Sequence, residues 1–229
     1  MQTISIELAF PSERGYDTAT MAAFISFEGI DGSGKTTQIK LVEDHLRRKG
    51  IPVILAREPG GTEVGDSIRQ ILLHSKTTQL TFLAELLLYY ASRHQNLQQK
   101  ILPARKAGYW VLCDRFADAS MAYQGYGRGI EHTLLEVLDR AVIGPNLPDL
   151  TILIDIEPVL GLARARERNR GETVDEGRFE RESLDFFTRV RQGYLEIARN
   201  NPDRFRVVNG DQPIETLHHE IVDLLDHGI

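Results

Sequence analysis

Short apolar runs alternate with longer stretches of helical period along the chain, and that alternation predicts an α/β fold with a parallel sheet. The first apolar run ends in a glycine-rich loop, Gly29-Ile30-Asp31-Gly32-Ser33-Gly34-Lys35-Thr36. Three further polar clusters, at Arg57, Asp114-Arg115 and Asp155, also fall at the ends of apolar runs. Ligands of open parallel sheets sit at the carboxyl ends of the strands, so the four stations converge on one end of the predicted sheet.

Each element has a local reason. Phe24 to Glu28 is short and mostly apolar and reads as a buried strand. Thr36 to Lys49 places Ile39, Leu41, Val42 and Leu46 at helical spacing and stops at Gly50. Pro52 to Ala56 is a second strand, and Arg57-Glu58-Pro59-Gly60-Gly61 is a turn rich in breakers. Thr62 to His74 is helical, with Val64, Ile68, Ile71 and Leu72 on one side. Thr81 to Lys106 is a long helical stretch interrupted only by Pro103. Its Leu86-Leu87-Leu88-Tyr89-Tyr90 segment is apolar almost all round, which predicts burial on more than one side. Trp110 to Cys113 is the third strand, Glu131 to Ile143 a helix, and Leu150 to Ile156 a strongly β-like fourth strand. Pro158 suits the first turn of the next helix. Phe179 to Asn200 is helical, Phe205 to Val208 is the fifth strand, and Ile214 to Asp226 is a closing helix.

The 229 residues suffice for one sizeable domain, taken as residues 23–229, with no second core required. Residues 1–22 lack the basic start and continuous apolar core of a signal peptide and are expected to form a disordered extension. A formal net charge of -6 argues against broad binding of nucleic acid or an anionic membrane. No apolar run is long enough to span a bilayer. Cys113 is the only cysteine, so no internal disulfide forms and a reducing, cytoplasmic location is expected. The histidines show no metal-ligand spacing.

The glycine loop fits G-x-x-x-x-G-K-[ST], a loop that wraps phosphates between a strand and a helix. Backbone N–H groups of Gly32 to Thr36 would point at phosphate oxygens at the helix N-terminus. Lys35 would reach the β- and γ-phosphates of a nucleotide, and the Thr36 hydroxyl would ligate Mg²⁺. Asp31 is a carboxylate inside this anion-binding loop and calls for a second function nearby. The Asn-Lys-x-Asp stretch of a guanine-specific switch is absent, and no strand ends in Asp-Glu as in motor ATPases. Asp114-Arg115 suits a kinase better: Asp114 would hold a water of the Mg²⁺ while Arg115 clamps the phosphate being transferred.

The stretches "EGIDGSGKTTQ", "REPGGTEVGDSIRQILL", "LLLYYASRHQ", "DRFADASMAYQGYGRGI", "PDLTILIDI" and "RFERESLDFFTRVRQGYLEIA" resemble bacterial thymidylate kinases, in family order and across about Ala23 to Ile221. The resemblance implies a P-loop kinase fold: a five-stranded parallel sheet flanked by helices, with an arginine-rich lid at about 164–178. It implies transfer of the γ-phosphate of ATP to dTMP, giving dTDP and ADP for dTTP synthesis, with Mg²⁺, in a homodimer packed through helices. It also implies that Asp31 faces the acceptor nucleotide, through the dTMP 3'-hydroxyl or a Mg²⁺ beside its phosphate.

Arg57, at the end of the second strand, suits the acceptor phosphate. Glu58 is read as orienting Arg57 or Arg115, as contributing to metal binding, or as stabilising the turn. The resemblance places Tyr89 where the family usually has a phenylalanine stacked on thymine, and Arg93 where an arginine hydrogen-bonds the thymine edge. Arg93 lies inside an otherwise apolar helix and needs a partner. Ser120 would bond the base, Tyr123 and Gln124 would border the sugar, and Ala119 stands where many relatives have a hydroxyl. In "LARARERNRGE", Arg164 with Arg168 and Arg166 with Arg170 form two stripes about 200° apart on a helix, so only one faces a bound phosphate. The resemblance implies that the lid closes over ATP and supplies an arginine to the transferring phosphate, and Arg168 or Arg170 is taken for that role. The rivals are another P-loop nucleoside or nucleoside monophosphate kinase, and a nucleotide-binding protein without transfer activity. Arg57 with Arg115 favours an acceptor that already carries a phosphate.

Overall fold

The computed structural model describes residues 21–73, 80–169 and 182–228. Five strands form one sheet: β1 (Phe24–Glu28), β2 (Val53–Arg57), β3 (Trp110–Asp114), β4 (Leu150–Asp155) and β5 (Phe205–Asn209). Their order is β2-β3-β1-β4-β5, and all four pairings are parallel. The glycine-rich loop follows the central strand, with β3 on one side and β4 on the other. This is where the strand order reverses and a parallel sheet opens its crevice.

Alternation along the strands divides the molecule into layers. Ile25 and Phe27 of β1, Leu112 of β3, and Ile152 and Ile154 of β4 share a core with α1 (Lys35–Arg48) and α9 (Ile214–Gly228). Phe24 of β1 and Val111 and Cys113 of β3 pack on the other face. That face is covered by the helical run α3 (Phe82–Asn96), a π-helical turn (Leu97–Ile101) and α4 (Leu102–Lys106), with α6 (His132–Val142) beside it. Burying each Phe, Ile or Leu contributes roughly 1.5–3 kcal/mol. Ser26 is fully buried among them, and its hydroxyl is satisfied by Thr151 at 2.8 Å. The remaining helices are α2 (Glu63–Leu73), α5 (Ala117–Ser120) with a π-helical continuation (Met121–Gly127), α7 (Pro158–Asn169) and α8 (Leu184–Asn200).

Most boundaries agree with the sequence reading to within two residues; two differ for physical reasons. The long helical stretch is interrupted at Leu97–Ile101, ahead of Pro103 rather than at it. Proline offers no N–H and its ring clashes with the carbonyl four residues earlier, so the preceding turn widens to a π turn. Helix α8 starts at Leu184, where Ser183 Oγ accepts the Phe186 N–H at 3.2 Å and caps the first turn. Of the extension expected at residues 1–22, positions 1–20 lie outside the described residues, as do the lid residues from Arg170 to 178 and positions 74 and 179–181, whereas Met21 and Ala22 are part of the packed domain. The described chain begins at Met21, which packs on the core beside Phe24, and the Ala22 carbonyl accepts from Arg105 Nε at 2.7 Å. Among the described residues no helix is long and apolar enough to cross a membrane.

Candidate active site

A cleft of about 1010 Å³ opens at the carboxyl ends of the strands, floored by the glycine-rich loop. The loop needs its glycines. Gly32 has φ +77°, and a Cβ there would lie 2.0 Å from the Gly161 carbonyl of α7. Asp31 to Thr36 line the cleft, whereas Ile30 is buried beneath it. Lys35 Nζ donates to the carbonyls of Gly29 and Ile30, both at 2.9 Å, and lies 3.4 Å from Ser33 Oγ. Its burial and the nearby Arg115 guanidinium lower its pKa to about 8. The Thr36 hydroxyl donates to Asp114 Oδ2 at 3.1 Å, so the two expected metal-binding oxygens face each other. These are hard oxygen donors, the kind that hold Mg²⁺ together with substrate phosphates.

Arg115 occupies the centre. Its φ is +68°, the left-handed region that side chains rarely adopt, and no other non-glycine among the described residues shares it. The guanidinium donates to Asp31 Oδ1 at 2.7 Å, to the Gly29 carbonyl at 2.9 Å and to the Tyr123 hydroxyl at 3.1 Å. Burial would raise the pKa of Asp31, but Arg115 and Lys35 hold its carboxyl below the usual value. The carboxylate in the phosphate loop is therefore matched by the arginine after β3. Tyr123 is packed edge-on among Phe186, Phe187 and Tyr194, which fixes its hydroxyl beside this pair.

The opposite wall comes from α3 and the α5 region. Arg93 is 1 % exposed and pairs with Glu58, Nε to Oε2 at 2.6 Å. Its Nη2 donates to Ser120 Oγ at 2.9 Å and to the Phe116 carbonyl at 3.0 Å, whereas Nη1 is buried and has no hydrogen-bond partner. Arg93, Ser120, Tyr89 and Gln124 all line the cleft. Of the two adjacent tyrosines, Tyr90 belongs to the core and donates to Asp139 Oδ1 at 2.8 Å, whereas Tyr89 faces the cleft. Gln124 is oriented by Glu85, which accepts from its Nε2 at 3.1 Å.

One expectation changes. Glu58 orients neither Arg57 nor Arg115. It turns inward under the breaker-rich turn, where Arg93 and Asn96 take its oxygens. Burial raises its pKa and the Arg93 charge opposes the rise. Arg57 lines the cleft and is held by Asp66 at 3.1 Å instead. Of the two arginine stripes on α7, Arg164 and Arg168 line the cleft, and Arg166 is exposed away from it. Arg170, on the Arg166 stripe, lies outside the described residues. Arg164 Nη1 is tied to the Gly210 carbonyl at 2.9 Å.

Sequence reasoning missed the supports of this site. Ser92 Oγ accepts the Gly60 N–H at 3.0 Å, and Asn96 Nδ2 reaches the Arg57 carbonyl at 3.4 Å, so α3 holds the turn after β2. Both lie in the polar run Ser92-Arg93-His94-Gln95-Asn96, so neither stood out from its neighbours in the sequence. Glu28 is fully buried and accepts from the Phe116 N–H at 2.6 Å and the Tyr194 hydroxyl at 2.8 Å. Tyr194 lies 166 residues from Glu28 and carried no signal of its own.

The geometry is that of one cleft with a phosphate-binding loop on its floor and a buried arginine in its wall. Residues 27–221 match the family model described as thymidylate kinase. The chain is 49 % identical over 202 residues to the thymidylate kinase of Syntrophotalea carbinolica, covering 88 % of this chain and 94 % of that one. It is 50 % identical over 200 residues to that of Maridesulfovibrio salexigens, covering 86 % and 92 %. The crystal structure of thymidylate kinase from Ehrlichia chaffeensis superposes with a TM-score of 0.73 at 36 % identity, covering 90 % of this chain and 99 % of that one. Sequence, fold and site geometry thus agree, and the chain belongs to the thymidylate kinase family.

Proposed function

We propose that the cleft carries out the family's reaction, transfer of the γ-phosphate of ATP to dTMP to give dTDP and ADP, with its residues divided between two ends. Gly29 to Thr36 bind the ATP phosphates, with Lys35 leaving its loop carbonyls for the β/γ oxygens. The end lined by Arg164, Gln212 and Ile214 suits the base of ATP. Thr36 and Asp114 would hold Mg²⁺, which when bound spreads the charge of the triphosphate. At the other end Arg57 and Arg115 receive the dTMP phosphate, and Asp31 faces the sugar. Tyr89 stacks on thymine, while Ser120, Tyr123 and Gln124 complete the wall.

The observation that carries the acceptor assignment is the unsatisfied Arg93 Nη1 in the same cleft as the phosphate loop. A buried guanidinium donor without a partner is costly, and a thymine carbonyl oxygen would satisfy it. The attacking oxygen of dTMP is anionic at neutral pH, so no strong general base is needed. Rate comes from positioning and charge neutralisation by Lys35, Arg115 and Arg168. A homodimer in the cytoplasm completes the reading. Its support is the exposed apolar side chains of three neighbouring helices, Val64 and Ile71 of α2, Leu83 and Leu87 of α3, and Leu134 and Val137 of α6.

The test is ADP release in the presence of ATP and Mg²⁺, comparing dTMP, dUMP, thymidine, AMP and no acceptor. Strong release with dTMP is expected, and the dUMP ratio measures the effect of Tyr89 and Ala119 on the base pocket. Release that peaks with thymidine or AMP would overturn the acceptor assignment. Release without any acceptor would replace transfer by ATP hydrolysis.

A further inference from the structure

The last two residues of β1 hold the backbone on both sides of the Arg115 α-carbon. The Arg115 N–H donates to the Phe27 carbonyl at 3.0 Å, and the next N–H, that of Phe116, donates to Glu28 Oε1 at 2.6 Å. Between these two bonds lies the left-handed φ of +68°. A non-glycine residue stays in that region only where its surroundings over-determine it. The other oxygen of Glu28 works on the side chain of the same residue: Oε2 accepts from the Tyr194 hydroxyl at 2.8 Å, and that hydroxyl accepts from Arg115 Nη1 at 3.2 Å. One buried carboxyl group therefore fixes both where the Arg115 backbone turns and where its guanidinium is aimed. Glu28 is fully buried and does not line the cleft, so it has no route to substrate.

We infer that Glu28 is a positioning residue for phosphoryl transfer, acting through Arg115 by way of the Phe116 N–H and the Tyr194 hydroxyl. The inference rests on the assignment of Arg115 to the transferred or accepting phosphate. Tyr194 belongs to α8, so the same hydroxyl ties this helix to the arginine. A misplacement of about 1 Å in a group that meets the transition state lowers the rate by roughly 10²-fold. The loss belongs to kcat, because ground-state binding is shared with the loop and with Arg57 and Arg93.

The experiment measures kcat, both KM values and thermal stability for Glu28→Gln, Tyr194→Phe and Arg115→Ala, and for Glu28→Gln in the Arg115→Ala background by single turnover. Glutamine keeps an acceptor for the Phe116 N–H but presents a donor to Tyr194, and phenylalanine keeps the ring. Each of these two variants is expected to lower kcat by about 10-fold or more with both KM values within about threefold. In the Arg115→Ala background Glu28→Gln should change the residual rate by less than about twofold, because coupled residues are non-additive. An equal loss in both backgrounds, or a normal kcat in Glu28→Gln, would overturn the inference. Full activity in Arg115→Ala would instead overturn the role of Arg115, a distinguishable failure. Should Glu28→Gln not fold, Tyr194→Phe decides, and a normal kcat there refutes the coupling.

Discussion

Replacing Lys35 by alanine removes the only cationic side chain of the phosphate loop, and kcat for dTMP-dependent ADP release should fall by roughly 10²–10³-fold. The fold should survive, since among the described residues the hydrogen bonds of the ammonium go to its own loop; circular dichroism and a melting curve check this. Arg93 is different, because its need of a partner was readable from its apolar helix while the partner, Glu58, lies 35 residues away in a turn. Arg93→Ala leaves the Glu58 carboxylate buried and unpaired, which costs about 3–5 kcal/mol. For a chain of this size each kcal/mol shifts Tm by roughly 2–4 °C, so Tm should drop by roughly 6–20 °C. The dTMP affinity of this variant must therefore be measured well below its Tm, where binding should still be weakened. Glu28 gives a pH prediction. Its pKa is pushed from 4.5 up to about 8 by burial and by Asp118, against the pull of Arg115, Tyr194 and the Phe116 N–H. The folded chain then binds more protons at this site than the unfolded chain between those values, so its contribution to stability falls as pH rises through that window. The Tm of the parent minus that of Glu28→Gln should decrease from pH 4.5 towards about 8, and a flat difference would remove the raised pKa.

At the scale of elements, the order of strands and helices was legible because period and breakers are local: five short apolar runs, a glycine loop after the first, and Pro158 in the first turn of α7. The π-helical segments were not. A π turn at Leu97–Ile101 depends on how the helix is held on either side of Pro103, and the one at Met121–Gly127 on packing against α8. No 3.6-residue pattern reports either. The same limit applied to the breaker-rich turn after β2, whose composition announced a turn but not that Ser92 and Asn96 of α3 would hold it. The loop motif announced its glycines but not why Gly32 must be one: the neighbour is Gly161 of α7, far away in sequence. Gly32→Ala combines a positive φ with a Cβ 2.0 Å from a backbone carbonyl, so the loop and α7 have to separate. The expected result is a rise in KM for ATP and a fall in kcat/KM of about 10²-fold or more, equivalent to at least ~2.7 kcal/mol. Far-UV circular dichroism should be retained, because the sheet does not depend on the contact. Unchanged ATP kinetics would mean that the loop does not bind the triphosphate in the conformation described.

For the molecule as a whole, the two core layers account for the apolar residues that face the sheet but leave others unassigned. Leu83 and Leu87 are one turn apart on α3, Val64 lies on α2 and Val137 on α6, and each of these side chains is about half exposed. The long apolar helix was read from sequence as buried on more than one side; within one chain α3 packs against α2, α6, the turn after β2 and the 116–127 segment, and Leu83 and Leu87 stay about half exposed. A second copy pairing the same face would complete that burial, since a two-fold interface is self-complementary and places each patch against its twin. A stable pairing needs about 800 Å² from each partner. Leu87→Asp and Val137→Asp each put a carboxylate into that face without touching the cleft. Either change should convert a dimer into a monomer in light scattering after size exclusion, or raise the dissociation constant by about 10-fold or more per charge, as an unpaired buried charge costs several kcal/mol. A parent chain that runs as a monomer at micromolar concentration would reject the pairing outright. A dimer unmoved by both substitutions would place the interface on another surface.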